Sequence, residues 1–278
     1  EPWSEKLAPN LSDRISGVFW GAFALFGMTA ASIVSGSIIE RSTGTRRGSF
    51  SVHWRDDSQP ASSDREARVI ATGSAGAEQL MIHQSLETGV KVPRTAMWGY
   101  SSVSLVLGRS QKPSAAVLER AAEEGIDVVV RASGGGAVIA GPWMCSHTVL
   151  LPPDHALARM SLPRSYEVIG EAWQRALGRL GVPTTIAPRV AAGPAAADDA
   201  MRWVCFASLS YGELVGPANR KIVGLAQVRR RNGAAICAGL LLDQPDWPRL
   251  LRVWLGRRDE ALAQSLRDGT VSCEECAP

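Results

Sequence analysis

Few features of this chain suggest a nucleic-acid partner, a disulfide framework or a metal site. Thirty Lys and Arg stand against 27 Asp and Glu, a net charge of +3, and no long basic stripe interrupts the sequence. That balance excludes a protein built to hold a polyanion, so no nucleic acid is expected. Cysteine is scarce, odd in number and irregularly spaced: Cys145, Cys205, Cys237, Cys273 and Cys276. A secreted disulfide scaffold is thereby excluded, and a reducing, cytoplasmic setting is expected. Histidine is scarcer still. His53, His83 and His155 have no ligand-like spacing, and Cys145 and His147 have no third partner in reach of the pattern. Cys273-Glu-Glu-Cys276 lacks the second ligand pair that zinc sites usually have. The sequence therefore predicts no metal site, and it predicts a flexible terminus around Cys273–Cys276.

Apolar residues make up 45% of the chain and charged residues 21%, an ordinary globular balance. Tryptophan is plentiful, and Trp98, Trp143, Trp173 and Trp203 fall inside apolar patterns that predict core packing. Residues 1–70 read as an N-terminal apolar segment and a polar linker. Ile15–Ile39 carries no charge and is long enough to cross a bilayer as a helix. Its alternative readings are a signal-type segment or a stretch upstream of the working protein. A membrane tether through residues 15–39 is one expectation. Ser42–Arg68 is polar, with little periodicity. The folded domain is expected over residues 71–245, followed by C-terminal helices and a tail over 246–278.

Helix-period spacing predicts helices over Gly76–Thr88, Ser114–Glu124 with Ser114 as N-cap, and Tyr166–Leu180. Strands are predicted over Ser101–Leu107, over Ile126–Arg131 as a buried strand, and around His147–Leu151. Four successive strands are expected at Arg202–Phe206, Tyr211–Val215, Lys221–Arg230 and Ala234–Leu242. Asn232-Gly233 marks a hairpin of type I′ between the last two. Trp247–Leu255 and Glu260–Leu266 read as short helices. The sum is an α+β fold, a mixed and largely antiparallel sheet with packed helices.

Three features carry chemistry. Cys205 sits at an expected strand end, and its thiol is a candidate acyl carrier, because a thiolate attacks a carbonyl and splits one transfer into two easier steps. Sixteen residues later Lys221 stands in an apolar strand pattern, where an ammonium is costly unless it meets an anion or a carbonyl. On alternation it shares a face with Val223, Leu225 and Gln227, which points it inward. Ser133-Gly134-Gly135-Gly136 is a bare-backbone turn whose N–H groups could cradle an oxyanion or a phosphate. A buried structural cysteine, a solvent-facing lysine and a plain turn are the competing readings.

In register along the chain, four segments resemble the lipoate-protein ligase and octanoyltransferase superfamily, relatives of the biotin ligases. They are Ala77-Glu78-Gln79, then Val103 through Gln111, then Gly125 through Val138, and Asn219 through Gln227. Cys205-Phe206-Ala207-Ser208-Leu209-Ser210-Tyr211-Gly212-Glu213-Leu214 is similar to the motif of the cysteine-dependent octanoyltransferase branch. The resemblance implies Cys205 and Lys221 as catalytic residues, Cys205 carrying the acyl group as a thioester and Lys221 positioning the acyl carbonyl. It implies substrate contacts at Arg131, Ser133, Gly134, Gly135, Gly136, Ala137, Val138 and Gly224. It implies transfer of an octanoyl or lipoyl group to a lysine of a lipoyl domain, of the glycine cleavage H protein or E2 subunit type. The donor would be an acyl carrier protein, or free lipoate or octanoate. No cofactor is required for transfer; ATP and Mg²⁺ are required if the chain is a ligase acting through an acyl-adenylate. The pattern departs from the family at Val130, His83-Gln84, Leu225 and Ala238-Gly239, which is preceded by Cys237. These departures motivate a further expectation, a member of the family that binds without turnover.

Overall fold

The computed structural model describes residues 70–188 and 201–276. The apolar run Ile15–Ile39 and the linker Ser42–Arg68 lie outside the described residues. Among the described residues, no helix is long and apolar enough to cross a membrane.

Among the described residues, ten strands form two sheets. The larger has the order β1 (Ile70–Gly73), β2 (Arg94–Tyr100), β6 (Met144–Leu151), β10 (Gly233–Leu241), β9 (Lys221–Arg230), β8 (Leu214–Val215) and β7 (Thr185–Ile186). Only β1 and β2 run parallel in it. The smaller sheet has β3 (Ser104–Leu107) between β4 (Asp127–Val130) and β5 (Val138–Ala140). The α+β, largely antiparallel architecture expected from the sequence is the one observed.

Period-two alternation explains how the large sheet sorts its side chains. Met97, Val149, Ile236 and Ala238 face one side, in a core shared with Leu157 of the short helix α3 (Ala156–Arg159) and with Ile169, Trp173 and Leu177 of the amphipathic helix α4 (Leu162–Arg179). Trp98, Tyr100, Leu150 and Ala235 face the other side, in a core shared with α1 (Ala75–Thr88), α2 (Ala115–Glu123) and α5 (Trp247–Leu255). Ser74 and Ser114 cap α1 and α2 by accepting from Ala77 N at 3.2 Å and Val117 N at 3.3 Å. Asp246 caps α5 in the same way. At the other end of α5, Arg120 donates to the carbonyls of Val253 and Trp254 at 2.8 and 3.1 Å, which fastens α5 to α2. The C-terminal helices thus share one core with the rest.

Several expectations about local structure change. Ile126–Arg131 is an edge strand rather than a buried one; Val130 at its end is 47% exposed. β2 carries no turn signal strong enough to announce it, yet it pairs with β6 along six residues. The hairpin between β9 and β10 turns on Arg231 and Asn232, because Gly233 already pairs with Arg230. The positive φ, +152°, falls on Gly233, where a Cβ would meet the Leu151 carbonyl at 2.8 Å; a type I′ turn at Asn232-Gly233 is therefore not formed. Finally, Cys273–Cys276 is a helical turn with Cys273 buried, not a loose tail. Glu275 pairs with Arg220 at 2.8 Å, and Val271 N donates to Lys221 O at 3.0 Å, so this segment is pinned against the start of β9.

His147 is buried on β6, hydrogen-bonded to Thr95 and edge-on to Trp173. Burial pushes its pKa down to about 3. The folded protein thus resists a proton that the unfolded chain takes up below about pH 6.5. Its contribution is complete above that pH and is lost as pH falls from there toward about 3. The expected slope is about 1.4 kcal/mol per pH unit, so stability falls by about 2 kcal/mol between pH 6.5 and 5. Urea unfolding across that window should show the slope in the wild type and lose it in His147→Gln. Equal slopes would contradict the assignment.

Candidate functional site

Cys205 is not on a strand. It opens a 3₁₀ turn, Cys205–Ala207, in a segment where strand alternation had been expected from Arg202 to Phe206. The reason lies across the fold in the glycine turn. Ala137 N donates to Trp203 O at 2.6 Å and Cys205 N donates to Ala137 O at 2.9 Å, a short parallel bridge that fixes the backbone at the cysteine. The bridge needs a bare neighbour: a Cβ on Gly136 would come within 2.7 Å of both Cys205 N and Trp203 O. Gln111 adds a brace, accepting from Gly108 N at 2.9 Å and donating to Trp203 O at 3.0 Å. A Cβ on Gly108 would overlap the Gly135 carbonyl oxygen. Three separated sequence segments are thus held in contact by positions that tolerate no side chain.

Arg131 shapes the turn from inside. Its guanidinium donates to Gly134 O at 3.1 and 2.8 Å and to Gly136 O at 2.9 Å. These peptides are trans, so a carbonyl drawn toward Arg131 leaves the following N–H on the opposite side. For Gly135, whose φ is +100°, that is the N–H of a residue lining the open cleft.

Lys221 opens β9, and its ammonium is 1% exposed. It forms a 2.7 Å ion pair with Glu213, itself 1% exposed, and donates to the carbonyls of Cys205 and Ser208, each at 3.0 Å. Three donors meet three acceptors. The ammonium also lies 4.9 Å from the centre of the Phe206 ring, and both Phe206 and the Lys221 stem approach Gly224 closely enough that a Cβ there would sit 3.3 Å from each. Lys221 therefore reaches Cys205 through the peptide carbonyl of that residue.

Two cavities flank the turn. One, of about 590 Å³, is mostly apolar and is lined by Val106, Ser133, Val138, Ala140, Met144, Phe206, Gly224 and Gly239. The other is an open cleft of about 1010 Å³ lined by Gly134, Gly135, Gly136, Tyr166, Arg202 and Lys221. Arg131, Cys205, Leu225 and Ala226 line both. Of the residues singled out from sequence, Ser133, Val138 and Gly224 face the narrow cavity, and the three glycines and Lys221 face the cleft. Ala137 lines neither and serves as the bridge to Trp203 and Cys205.

Sequence reasoning missed the polar end of the narrow cavity. Glu78 of α1 is buried there and accepts from Ser146 at 2.7 Å, Thr148 at 2.6 Å and Tyr100. Burial raises its pKa against the lowering by those hydroxyls. Cys237 lies beside it; burial and then the Glu78 charge push its pKa up to about 12. Cys237 therefore stays a thiol at neutral pH, although it lines the same cavity as Cys205. Sequence reasoning also passed over Glu213, although an acid in an apolar Tyr-Gly-Glu-Leu-Val context was a visible signal. Among the described residues, no cluster of three His, Cys, Asp or Glu side chains is arranged to hold a metal ion.

The fold and the site together define a two-sheet α+β domain in which a glycine turn and a buried lysine border two cavities, one of them mostly apolar. The model of the lipoyl protein ligase A/B catalytic domain matches residues 77–266, and the chain belongs to that family. Among curated relatives it is 29% identical over 191 residues to octanoyltransferase LipM of Kyrpidia tusciae; the match covers 63% of this chain and 66% of that protein. Among solved structures, the archaeal bipartite lipoate protein ligase with its E2 lipoyl domain from Thermoplasma acidophilum is similar with a TM-score of 0.55, 17% identity and 75% coverage of each chain. Lipoate-protein ligase A bound with ATP gives 0.53, 15% and 74% of each chain. At these identities the structural likeness speaks for the fold.

Proposed function

We propose that this protein acts in protein lipoylation as an acyltransferase, moving an octanoyl or lipoyl group onto a lysine of a lipoyl domain through a thioester on Cys205. The observation that supports this reading is that Cys205 lines both the mostly apolar cavity and the cleft. A mostly apolar lining suits an acyl chain, and the cleft leaves room for a carrier arm or an incoming lysine. The similarity to an octanoyltransferase supports the same chemistry.

In the first half-reaction the Cys205 sulfur attacks the donor's thioester carbonyl, and the C–S bond to the carrier breaks. The carrier sulfur leaves and takes up the proton that Cys205 gave up. In the second, the target lysine's neutral amine attacks the acyl-Cys205 carbonyl. The amide C–N bond forms, the C–S bond to Cys205 breaks, and the amine's surplus proton restores the thiol. Each step passes through an oxyanion, for which the Gly135 N–H is the candidate donor. Lys221 holds the backbone on which the sulfur sits.

An ATP-dependent ligase is the competing reading, and a free cation for the adenylate phosphate would support it. Lys221 instead spends its three donors on Glu213 and on two backbone carbonyls, which favours transfer. With octanoyl-loaded acyl carrier protein and a lipoyl domain, acyl transfer should proceed without ATP. A requirement for ATP, with lipoate-dependent pyrophosphate exchange retained in Cys205→Ser, would establish the ligase instead. The cavity also predicts chain length. Gly239 lines it, and a Cβ there would meet Met144 at an ordinary 3.5 Å. Gly239→Val should take up space in it and shift the preference from octanoyl toward hexanoyl by roughly tenfold in competition assays. An unchanged preference would mean that the chain lies elsewhere.

A further inference from the structure

We propose that Glu213 is a positioning residue for this reaction, acting on Cys205 through Lys221; the inference rests on the thioester reading above. The Glu213 carboxylate is 1% exposed and every contact it makes ends at the site. One oxygen pairs with Lys221 Nζ at 2.7 Å and accepts from Ser210 N at 2.7 Å; the other accepts from Leu225 N at 3.0 Å. Leu225 lines both cavities, and Ser210 closes the segment that begins at Cys205. Lys221 in turn holds the carbonyls of Cys205 and Ser208. The carboxylate thus joins the strand under the cavities and the ammonium to the Ser210 end of the cysteine segment, and reaches the Cys205 end through Lys221.

A buried ammonium without its counter-charge would be strongly destabilised. With the charge in place, it is held in one position and its second and third donors are aimed at the turn. Glu213 does not touch the reacting atoms. Its effect is to place the sulfur, and a misplacement of about 1 Å is enough to cost on the order of 10²-fold in rate. The arrangement makes a demand that a merely structural carboxylate would not: once Lys221 is removed, Glu213 should have little left to contribute to catalysis.

The test is a cycle of Glu213→Gln, Glu213→Asp, Lys221→Met and Glu213→Gln with Lys221→Met. Acylation of Cys205 by an octanoyl thioester is followed in single turnovers by intact mass, with thermal melts as a check on folding. Glu213→Gln should slow acylation about 10²-fold with the half-saturating donor concentration unchanged. Glu213→Asp should recover at least tenfold of that loss. The double variant should acylate no more slowly than Lys221→Met and should melt above it, since the stranded carboxylate is gone. Wild-type rates in Glu213→Gln, or losses that multiply in the double variant, would overturn the proposal. If Glu213→Gln lacks a cooperative melt, Glu213→Asp and the comparison of Lys221→Met with the double variant decide it. Absence of any Cys205 adduct in the wild type would sink the thioester reading rather than this one. The same cycle would then be read on lipoate-dependent pyrophosphate exchange, where multiplying losses would again overturn it.

Discussion

Replacing Cys205 with serine should abolish formation of an acyl-enzyme and reduce acyl transfer to a lipoyl domain on the order of 10³-fold or more. Serine keeps the shape, and the backbone at this position is fixed by Cys205 N on Ala137 O and Lys221 on Cys205 O, so the fold should be unchanged. What is lost is a nucleophile able to act without a strong base beside it: a thiol is part-ionised near neutral pH, whereas an alkyl hydroxyl is not. Among the described residues no histidine lines either cavity, so none of them offers a serine there an imidazole to activate it. Cys237 offers no substitute, because burial and Glu78 keep its thiol protonated. Steady-state transfer assays on the two proteins, with matched melting curves, check this. Retention of more than a tenth of wild-type activity in Cys205→Ser would remove the thiol from the mechanism.

The second large effect is expected from a backbone contact beside the cysteine rather than from a reacting side chain. Gly136→Ala should lower activity by on the order of 10²-fold or more while leaving a folded protein. The added methyl would press within 2.7 Å of Cys205 N and Trp203 O, both of them backbone atoms that cannot rotate away. The bridge from Ala137 to Trp203 and Cys205 must open or shift, and the sulfur moves with it. Gly134→Ala is the control: nothing lies within 4 Å of a Cβ there, and its activity should stay within about threefold. Equal activities in the two variants would show that the close approach of the glycine turn to the cysteine segment has no part in catalysis. The double contrast separates loss of backbone placement from loss of glycine as such.

The fold was largely legible because long periodic segments announce themselves. The face of α4 read out as residues 166, 169, 173 and 177, and strands β9 and β10 flanked an unmistakable turn. Short elements were not legible, since pairing rather than local pattern creates them. β4 reads as a buried apolar run, yet it lies at an edge, because its only partner is β3. Arg202–Phe206 alternates like a strand, but Ala137 and Lys221 claim its backbone and bend it into a 3₁₀ turn. The site residues were visible as residue types: a thiol, an ammonium, a run of glycines. Their relations were not. That Lys221 spends its donors on Glu213 and two carbonyls, and that Arg131 turns inward to the glycine carbonyls, follows from contacts between segments far apart in sequence. Glu78 was quoted only as part of a motif. Its burial depends on the hydroxyls of Ser146 and Thr148, about seventy residues downstream.

The most direct test of a thioester at Cys205 is to mix the wild-type protein with octanoyl-loaded acyl carrier protein, without ATP and without a lipoyl domain, and to map the products by mass spectrometry. The account predicts one octanoyl group on the peptide containing Cys205, released by neutral hydroxylamine and transferred when a lipoyl domain is added. An unmodified Cys205 peptide in a preparation that still acylates the lipoyl domain would contradict it.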